Sequence, residues 1–287
     1  MHEGTVSSAQ MPPLVKPMVE VYPKEGLFHL DLQEIWQYRE LLYFLVWRDV
    51  KVRYKQTAIG ITWVLLQPLL TMAIFTIIFG YFAKLPSDGL PYSIFAYAAL
   101  LPWTYFSEAV SRSGQSLVND ANLLRKIYFP RLIIPLAAIL APLVDFCLSF
   151  VLFLCLMAWY GIVPTWGIFA LPFLLLIALL TALAMGLWLA ALNVRYRDVR
   201  HAIPFLLQFL MYASPVAYAL SVVPEQWRAL YSLNPVVGVI EGFRWGLLGK
   251  ANPDFYAMIV SAVGVLVILI GGLLFFKQME RTFADVV

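Results

Sequence analysis

The residues of this sequence that could do chemistry are few and scattered. Two carboxylates, Asp145 and Glu108, fall within or beside apolar runs, where ion-coupled carriers keep theirs. An Asp at mid-helix costs about 2.5–3.5 kcal/mol to insert, so Asp145 needs a polar partner or a wet cavity. No second mid-membrane carboxylate or histidine accompanies it, and structural neutralisation is favoured over a proton relay. The one Gly-Lys pair, Gly249–Lys250, is followed by Ala251, and Arg244 stands where a phosphate loop needs its first glycine. No nucleotide-binding loop follows from that pattern. His2, His29 and His201 are dispersed, and Cys147 and Cys155 share one apolar run. Neither set has metal-ligand or disulfide-framework spacing, and no cluster of carboxylates or histidines suits chemistry on lipid-linked sugars. The sequence therefore assigns no catalytic residue, no metal and no cofactor to this chain.

The elements that carry these residues are set by composition. Of 287 residues, 62% are hydrophobic and 13% charged, with a mean hydropathy of +0.79. Soluble domains run at about 25% charged, so there is too little polar surface to coat a soluble particle. A soluble enzyme, a disordered chain and a nucleic-acid-binding domain are excluded, and a net charge of +3 marks no polyanion partner. The remaining class is an integral membrane protein.

Residues 1–30 are polar and contain proline, with no apolar core or cleavage site, so the amino end is expected to stay in the mature chain. Apolar runs long enough to cross a core of about 30 Å recur six times, at about 60–83, 92–110, 132–160, 166–192, 202–220 and 255–276. Runs such as Leu171–Leu180 are apolar on every side, which excludes barrel strands and leaves helices. Pro68, Pro102, Pro135, Pro142, Pro172, Pro204 and Pro215 fall within these runs and are expected to kink them. With six crossings, sixteen of the twenty Lys and Arg fall on one side, which the positive-inside rule makes cytoplasmic, together with both chain ends.

Three segments do not cross. Residues 35–57 read as an amphipathic helix. Its cations Arg48, Lys51 and Lys55 share one sector, while Trp36, Tyr43, Val46, Trp47, Val50 and Tyr54 share another, and Asp49 and Arg53 stand at i,i+4. Such a helix lies along a membrane surface, and the pattern leaves open whether it only anchors the chain or also meets a partner. The polar stretch Ser111–Arg131, with Asn119, Asp120, Asn122, Leu123, Leu124, Arg125 and Lys126, reads from its pattern as a solvated loop that has room for a short helix. Residues 221–254 hold two helical runs split at Asn234–Pro235, too short to span, and read as a re-entrant hairpin. There Glu241 and Arg244, at i,i+3, can neutralise each other, and Gly242 and Gly246 permit close helix contact. Aromatic residues make up 15% of the chain. Phe75, Phe79, Tyr97, Phe106, Phe205, Phe209 and Tyr212 sit deep enough to line a conduit along which sugar rings stack, or simply to fill the core.

Motifs in these slots resemble the membrane subunit of ABC exporters of the polysaccharide and polyol-phosphate export family, which export O-antigen, capsule or wall teichoic acid. The residues that carry the resemblance are Arg48–Asp49–Val50–Lys51–Val52–Arg53–Tyr54, then Gly60, Trp63 and Gln67–Pro68. They continue with Lys126–Ile127–Tyr128–Phe129–Pro130–Arg131, Asn193–Val194–Arg195–Tyr196–Arg197–Asp198–Val199, Leu233–Asn234–Pro235 and Phe243–Arg244. The resemblance covers roughly 35–287 and implies an all-α membrane fold of six transmembrane helices, in a permease domain spanning 58–287. It implies that 35–57 is an interface helix, whose Arg48, Asp49, Lys51, Arg53 and Lys55 meet lipid headgroups or the partner. It further implies that 112–126 is a coupling segment docking on an ATPase, and that 224–249, with Trp227, Arg228, Glu241 and Arg244, is an extracytoplasmic gate. Two permeases and two ATPase chains would form the working unit in the bacterial inner membrane, with ATP and Mg on the partner. The cargo would be a glycan on an undecaprenyl diphosphate-like lipid, with O-antigen preferred over capsule or teichoic acid. A proton-coupled carrier using Asp145 and a membrane enzyme acting on lipid-linked sugars are the rival readings. The segment 1–34 matches nothing and its role stays open.

Overall fold

The computed structural model describes residues 32–55, 60–249 and 255–286. Nearly all of the 1–34 segment, residues 56 and 57 of the expected interface helix, and Lys250 lie outside them. Among the described residues every regular element is helical. A short α1 (Leu32–Gln37) leads into α2 (Arg39–Lys55). Then come α3 (Gly60–Phe75), which ends in a π-helical stretch Thr76–Phe82, and the long α4 (Tyr92–Asn119). They are followed by α5 (Ala121–Lys126), α6 (Ile133–Leu140), α7 (Leu143–Trp159), α8 (Leu171–Arg195), α9 (Val199–Tyr212), α10 (Glu225–Tyr231), α11 (Pro235–Leu248) and α12 (Phe255–Val286).

Among the described residues four stretches are long and apolar enough to cross a bilayer: Thr62–Phe82, Ile133–Trp159, Trp166–Arg195 and Tyr256–Glu280. The other two expected crossings differ from these for physical reasons. Helix α4, roughly 42 Å long at 1.5 Å per residue, is the axis of the bundle and packs against α3, α6, α7, α8, α9 and α11. Ile94–Leu101 are buried at every position, so α4 faces protein rather than lipid and tolerates polar side chains that bond to backbone. Thr104 donates to the Leu100 carbonyl at 2.8 Å, and Tyr97 and Tyr105 donate to the Ser149 and Ile139 carbonyls of neighbouring helices.

Helix α9 stops at Tyr212, so the run expected at 202–220 is a 14-residue helix of roughly 21 Å, followed by irregular chain. Irregular backbone at membrane depth survives only where its polar groups are satisfied inside the protein, and five carbonyls of this stretch are. The carbonyls of Tyr212, Ala213, Val216, Ala217 and Tyr218 accept from the side chains of Tyr218, Asn234, Arg244, Tyr92 and Arg244 respectively.

The prolines act unequally. Pro142 lacks an N–H and separates α6 from α7, whereas Pro172 sits in the first turn of α8, where a proline costs nothing. Pro68, Pro102 and Pro204 remain inside helices. The α10–α11 hairpin follows its capping residues closely. The Asn234 side chain accepts from the Val236 N–H, Pro235 takes the first helical position, and Gly249 ends α11 at φ 64°. Helix α11 is wedged among α4, α8 and α12, and Gly246 and Gly242 of its G-x-x-x-G lie against Gly167 and Leu174.

Candidate functional site

The two ends of the bundle carry different polar constellations. At one end α2 packs against α6 and α3 and reaches α4, α7 and the start of α5 through its charged side chains. Arg48 donates from both terminal nitrogens to the two oxygens of Asp120, at 2.8 and 3.0 Å, and from Nε to Asp49 at 2.9 Å. Asp120 begins α5 yet caps none of its N–H groups, so its carboxylate serves α2 instead. A two-pronged charged bond of this kind fixes orientation as well as distance. It also raises the basicity of Arg48, chiefly through the hydrogen bonds it donates to Asp120.

One turn further on, Arg53 meets Glu108 of α4 at 2.6 Å and pairs with Asp145 of α7, while the Tyr54 hydroxyl donates to Asp145. Glu108 also accepts from Arg112 at 2.6 Å. Burial and the neighbouring Arg112 cation pull the basicity of Arg53 down, and Glu108 opposes them; a guanidinium starts high enough to stay charged. Asp145 thus has the polar partner its insertion cost requires. It stands in the first turn of α7, just after the Pro142 break.

The inward face of α2 is apolar in its first half, where Leu45 is buried and Leu41, Leu42 and Val46 pack against the core, and charged in its second half. Trp36, Tyr43, Phe44 and Trp47 are exposed. Phe44, Trp47, Arg48, Lys51, Val52 and Lys55 form an outward hollow of 260 Å³, so of the expected headgroup cations Lys51 and Lys55 face out while Arg53 is held within the bundle.

The coupling segment also differs from a loop. Residues 112–119 continue α4, burying Ser113, Gly114, Ser116 and Leu117. The Gly114 carbonyl accepts from the buried Asn193 amide of α8 at 2.9 Å, and a Cβ at Gly114 would meet Ile203 at 2.8 Å. Only the tip is free. Asn119, Asn122, Arg125, Lys126, Ile127 and Tyr128 are exposed, while Leu123 and Leu124 turn inward against the core.

At the opposite end Arg244, 2% exposed, holds the irregular 213–219 chain. It donates to the Val216 and Tyr218 carbonyls at 3.0 and 3.1 Å, pairs with Glu241 at 3.1 Å, and lies 3.8 Å above the Phe95 ring. Arg244 therefore anchors this end from within and lines nothing. Trp227 is 55% exposed on α10, and Arg228 donates from Nε to the Val223 carbonyl.

The conduit aromatics divide. Phe205, Phe209 and Tyr212 are exposed on α9 and Phe79 is half-buried, but Phe75, Tyr97 and Phe106 are buried. Tyr97, fully enclosed and stacked on Phe153, and Phe106 face no conduit, because α4 is surrounded by other helices.

The family model for ABC-2 type transporters matches residues 40–248, a span that takes in α2, the α5 tip and the α10–α11 hairpin. The chain belongs to the ABC-2 type transporter family. This ABC-2 permease is similar to the O-antigen export system permease protein RfbA of Myxococcus xanthus, with 32% identity over 256 residues, covering 88% of this chain and 98% of that one. It is also similar to RfbA of Klebsiella pneumoniae (25% identity over 251 residues; 86% and 95% covered). A third relative is the polysialic acid transport protein KpsM of Escherichia coli (24% over 241 residues; 82% and 91%).

In this permease the structure joins residues that the sequence kept apart: Arg48 with Asp120, and Arg53 with Glu108 and Asp145. Tyr54 and Asn193 carry bonds between elements that sequence reasoning gave no role, and Arg112 braces Glu108 within α4. Tyr54 and Asn193 lay inside the motifs of the resemblance, and that was their only signal.

Proposed function

We propose that this chain is the membrane half of an ATP-driven exporter that carries a lipid-linked polysaccharide across the bacterial inner membrane, with both chain ends cytoplasmic. The cargo is an O-antigen-type glycan on an undecaprenyl diphosphate-like carrier; capsule or wall teichoic acid is the alternative within the same family. Two copies of this permease work with two ATPase chains, which hold the ATP and Mg.

The observation that carries the reading is the build of the α5 tip. It turns Asn119, Asn122, Arg125 and Lys126 outward, while Asp120, just before α5, is gripped by Arg48 of α2. A partner that pushes on α5 therefore pulls on α2, and α2 in turn holds α4 and α7 through Arg53. A load applied at the tip is thereby spread over the helices that form the axis and wall of the bundle. The outward hollow of α2, with Lys51 and Lys55 beside Phe44 and Trp47, suits phosphate headgroups at the membrane surface. The exposed Phe205 and Tyr212 of α9 would pass sugars along a path between two copies. Asp145, which a proton-coupled carrier would use, is already engaged by Arg53 and Tyr54.

Arg125→Ala with Lys126→Ala is expected to reduce co-purification of the ATPase and export at least tenfold, while the permease still reaches the membrane. Unaltered co-purification and export would overturn the assignment of the α5 tip.

A further inference from the structure

Beneath α10 lies a cavity of 890 Å³ that the export reading does not use. Its walls come from the middle of α8 (Trp188 and Leu189), from α9 (Phe209 and Leu210), from α10 (Leu230) and from α12 (Ile268). Two of these helices are among the four able to cross a bilayer.

The polar groups on its lining are already satisfied within the chain. Trp188 Nε1 donates to the Ile268 carbonyl, and the Tyr231 hydroxyl is bonded to that of Tyr218. The Asn234 amide donates to Ala213 and Ser214 while its oxygen caps α11. A water needs two or more polar partners, and this cavity offers none. Left empty, its apolar lining would forfeit dispersion contacts.

On α10, Trp227, Leu230 and Tyr231 face the cavity. Arg228 stands about 100° round the helix from Trp227, at the flank. Its Nε is bound to the Val223 carbonyl, and its terminal nitrogens have no partner among the described residues. An apolar groove walled by two helices able to cross a bilayer, with a guanidinium at its flank, matches an anionic head joined to an apolar tail.

We propose that this cavity holds an acyl chain of a membrane phospholipid, with the lipid phosphate at Arg228. At about 30 Å³ per heavy atom, the share a water takes in the liquid, the volume suits one or two acyl tails. It falls well short of an undecaprenyl chain. The lipid fills the space below α10 and stays with the permease as a structural ligand; its binding does not depend on what the permease exports.

The test uses the full chain in nanodiscs of phosphatidylethanolamine and phosphatidylglycerol, part of it carrying a photoreactive diazirine at mid-chain. After illumination, adducts on α8, α9, α10 and α12 peptides containing Trp188, Leu210, Leu230 and Ile268 should exceed those on the exposed face of α3 at least threefold. Ala213→Phe, which fills the cavity from one wall, and Leu230→Asp, which makes its exposed rim polar, should each lower that labelling to the level of α3. Arg228→Gln should lower it for phosphatidylglycerol. Even labelling over all lipid-facing helices, or labelling unchanged in both cavity variants, would overturn the proposal. So would displacement of the label by undecaprenyl phosphate and not by unlabelled phospholipid. A Leu210→Cys disulfide between two copies would give the space to the second copy and equally overturn it.

Discussion

The two ends of the bundle hold arginines to opposite purpose. Where α2 meets α5, Arg48 is about one-third exposed and its partner Asp120 one-fifth. Both groups keep contact with water, so their pairing can break and reform at modest cost. At the other end Arg244 is enclosed and ties down chain that has no helical hydrogen bonds of its own. Solvated pairs between separate helices make a joint through which force can pass, whereas an enclosed guanidinium with several acceptors makes a rivet. The contrast shows that two arginines of equal charge take opposite roles according to their exposure.

Breaking the rivet should have the largest effect. Arg244→Leu removes the charged partner of Glu241 and the donors to the Val216 and Tyr218 carbonyls, and removal of one partner of a buried pair costs about 3–5 kcal/mol. A drop of many degrees in the thermal midpoint of the detergent-solubilised protein is expected. Arg244→Lys should recover little, because an ammonium cannot reproduce the planar fork; a full rescue by lysine would break the comparison.

Asp145→Asn is intermediate. It keeps an acceptor for Tyr54 but removes one counter-charge of Arg53, a loss of about 1–3 kcal/mol for a charge-assisted bond. Export should slow several-fold and persist. Complete loss of export with ATPase turnover intact would instead favour proton coupling.

The smallest change in stability belongs to the joint. Arg48→Ala should cost about 1 kcal/mol or less, yet lower export more than stability. The swapped pair Arg48→Asp with Asp120→Arg should restore part of it. If the swap restores nothing, the contact does not transmit.

Much of this frame was legible from one-dimensional signals. The hairpin bounds follow from Asn234, Pro235 and Gly249, whose backbone requirements are local, and the break in the third apolar run follows from Pro142. What escaped was pairing at a distance. Arg48 and Asp120 are 72 residues apart and Tyr54 and Asp145 are 91 apart, and no periodicity reports such contacts. A helical wheel of α2 assumed that its cations face outward, but the bundle supplied carboxylates that draw Arg48 and Arg53 inward. Hydropathy likewise placed Tyr97 and Phe106 at conduit depth without showing that α4 is enclosed. It extended the fifth run to 220, because a chain satisfied by side chains of α4 and α11 is as apolar as a helix. The coupling segment 112–126 looked like a loop because polar residues mark exposure, whereas its first half is the end of α4, fixed by Asn193 to Gly114.

The sidedness of the two ends decides the account most directly. In a permease with Cys147 and Cys155 replaced by alanine, Asn122→Cys and Trp227→Cys would be exposed to a membrane-impermeant maleimide in intact spheroplasts and in inverted vesicles. Asn122→Cys should react only in inverted vesicles, and less when the ATPase is bound, while Trp227→Cys reacts only in spheroplasts. Labelling of Asn122→Cys in intact spheroplasts would put the α5 tip outside the cell and contradict the account.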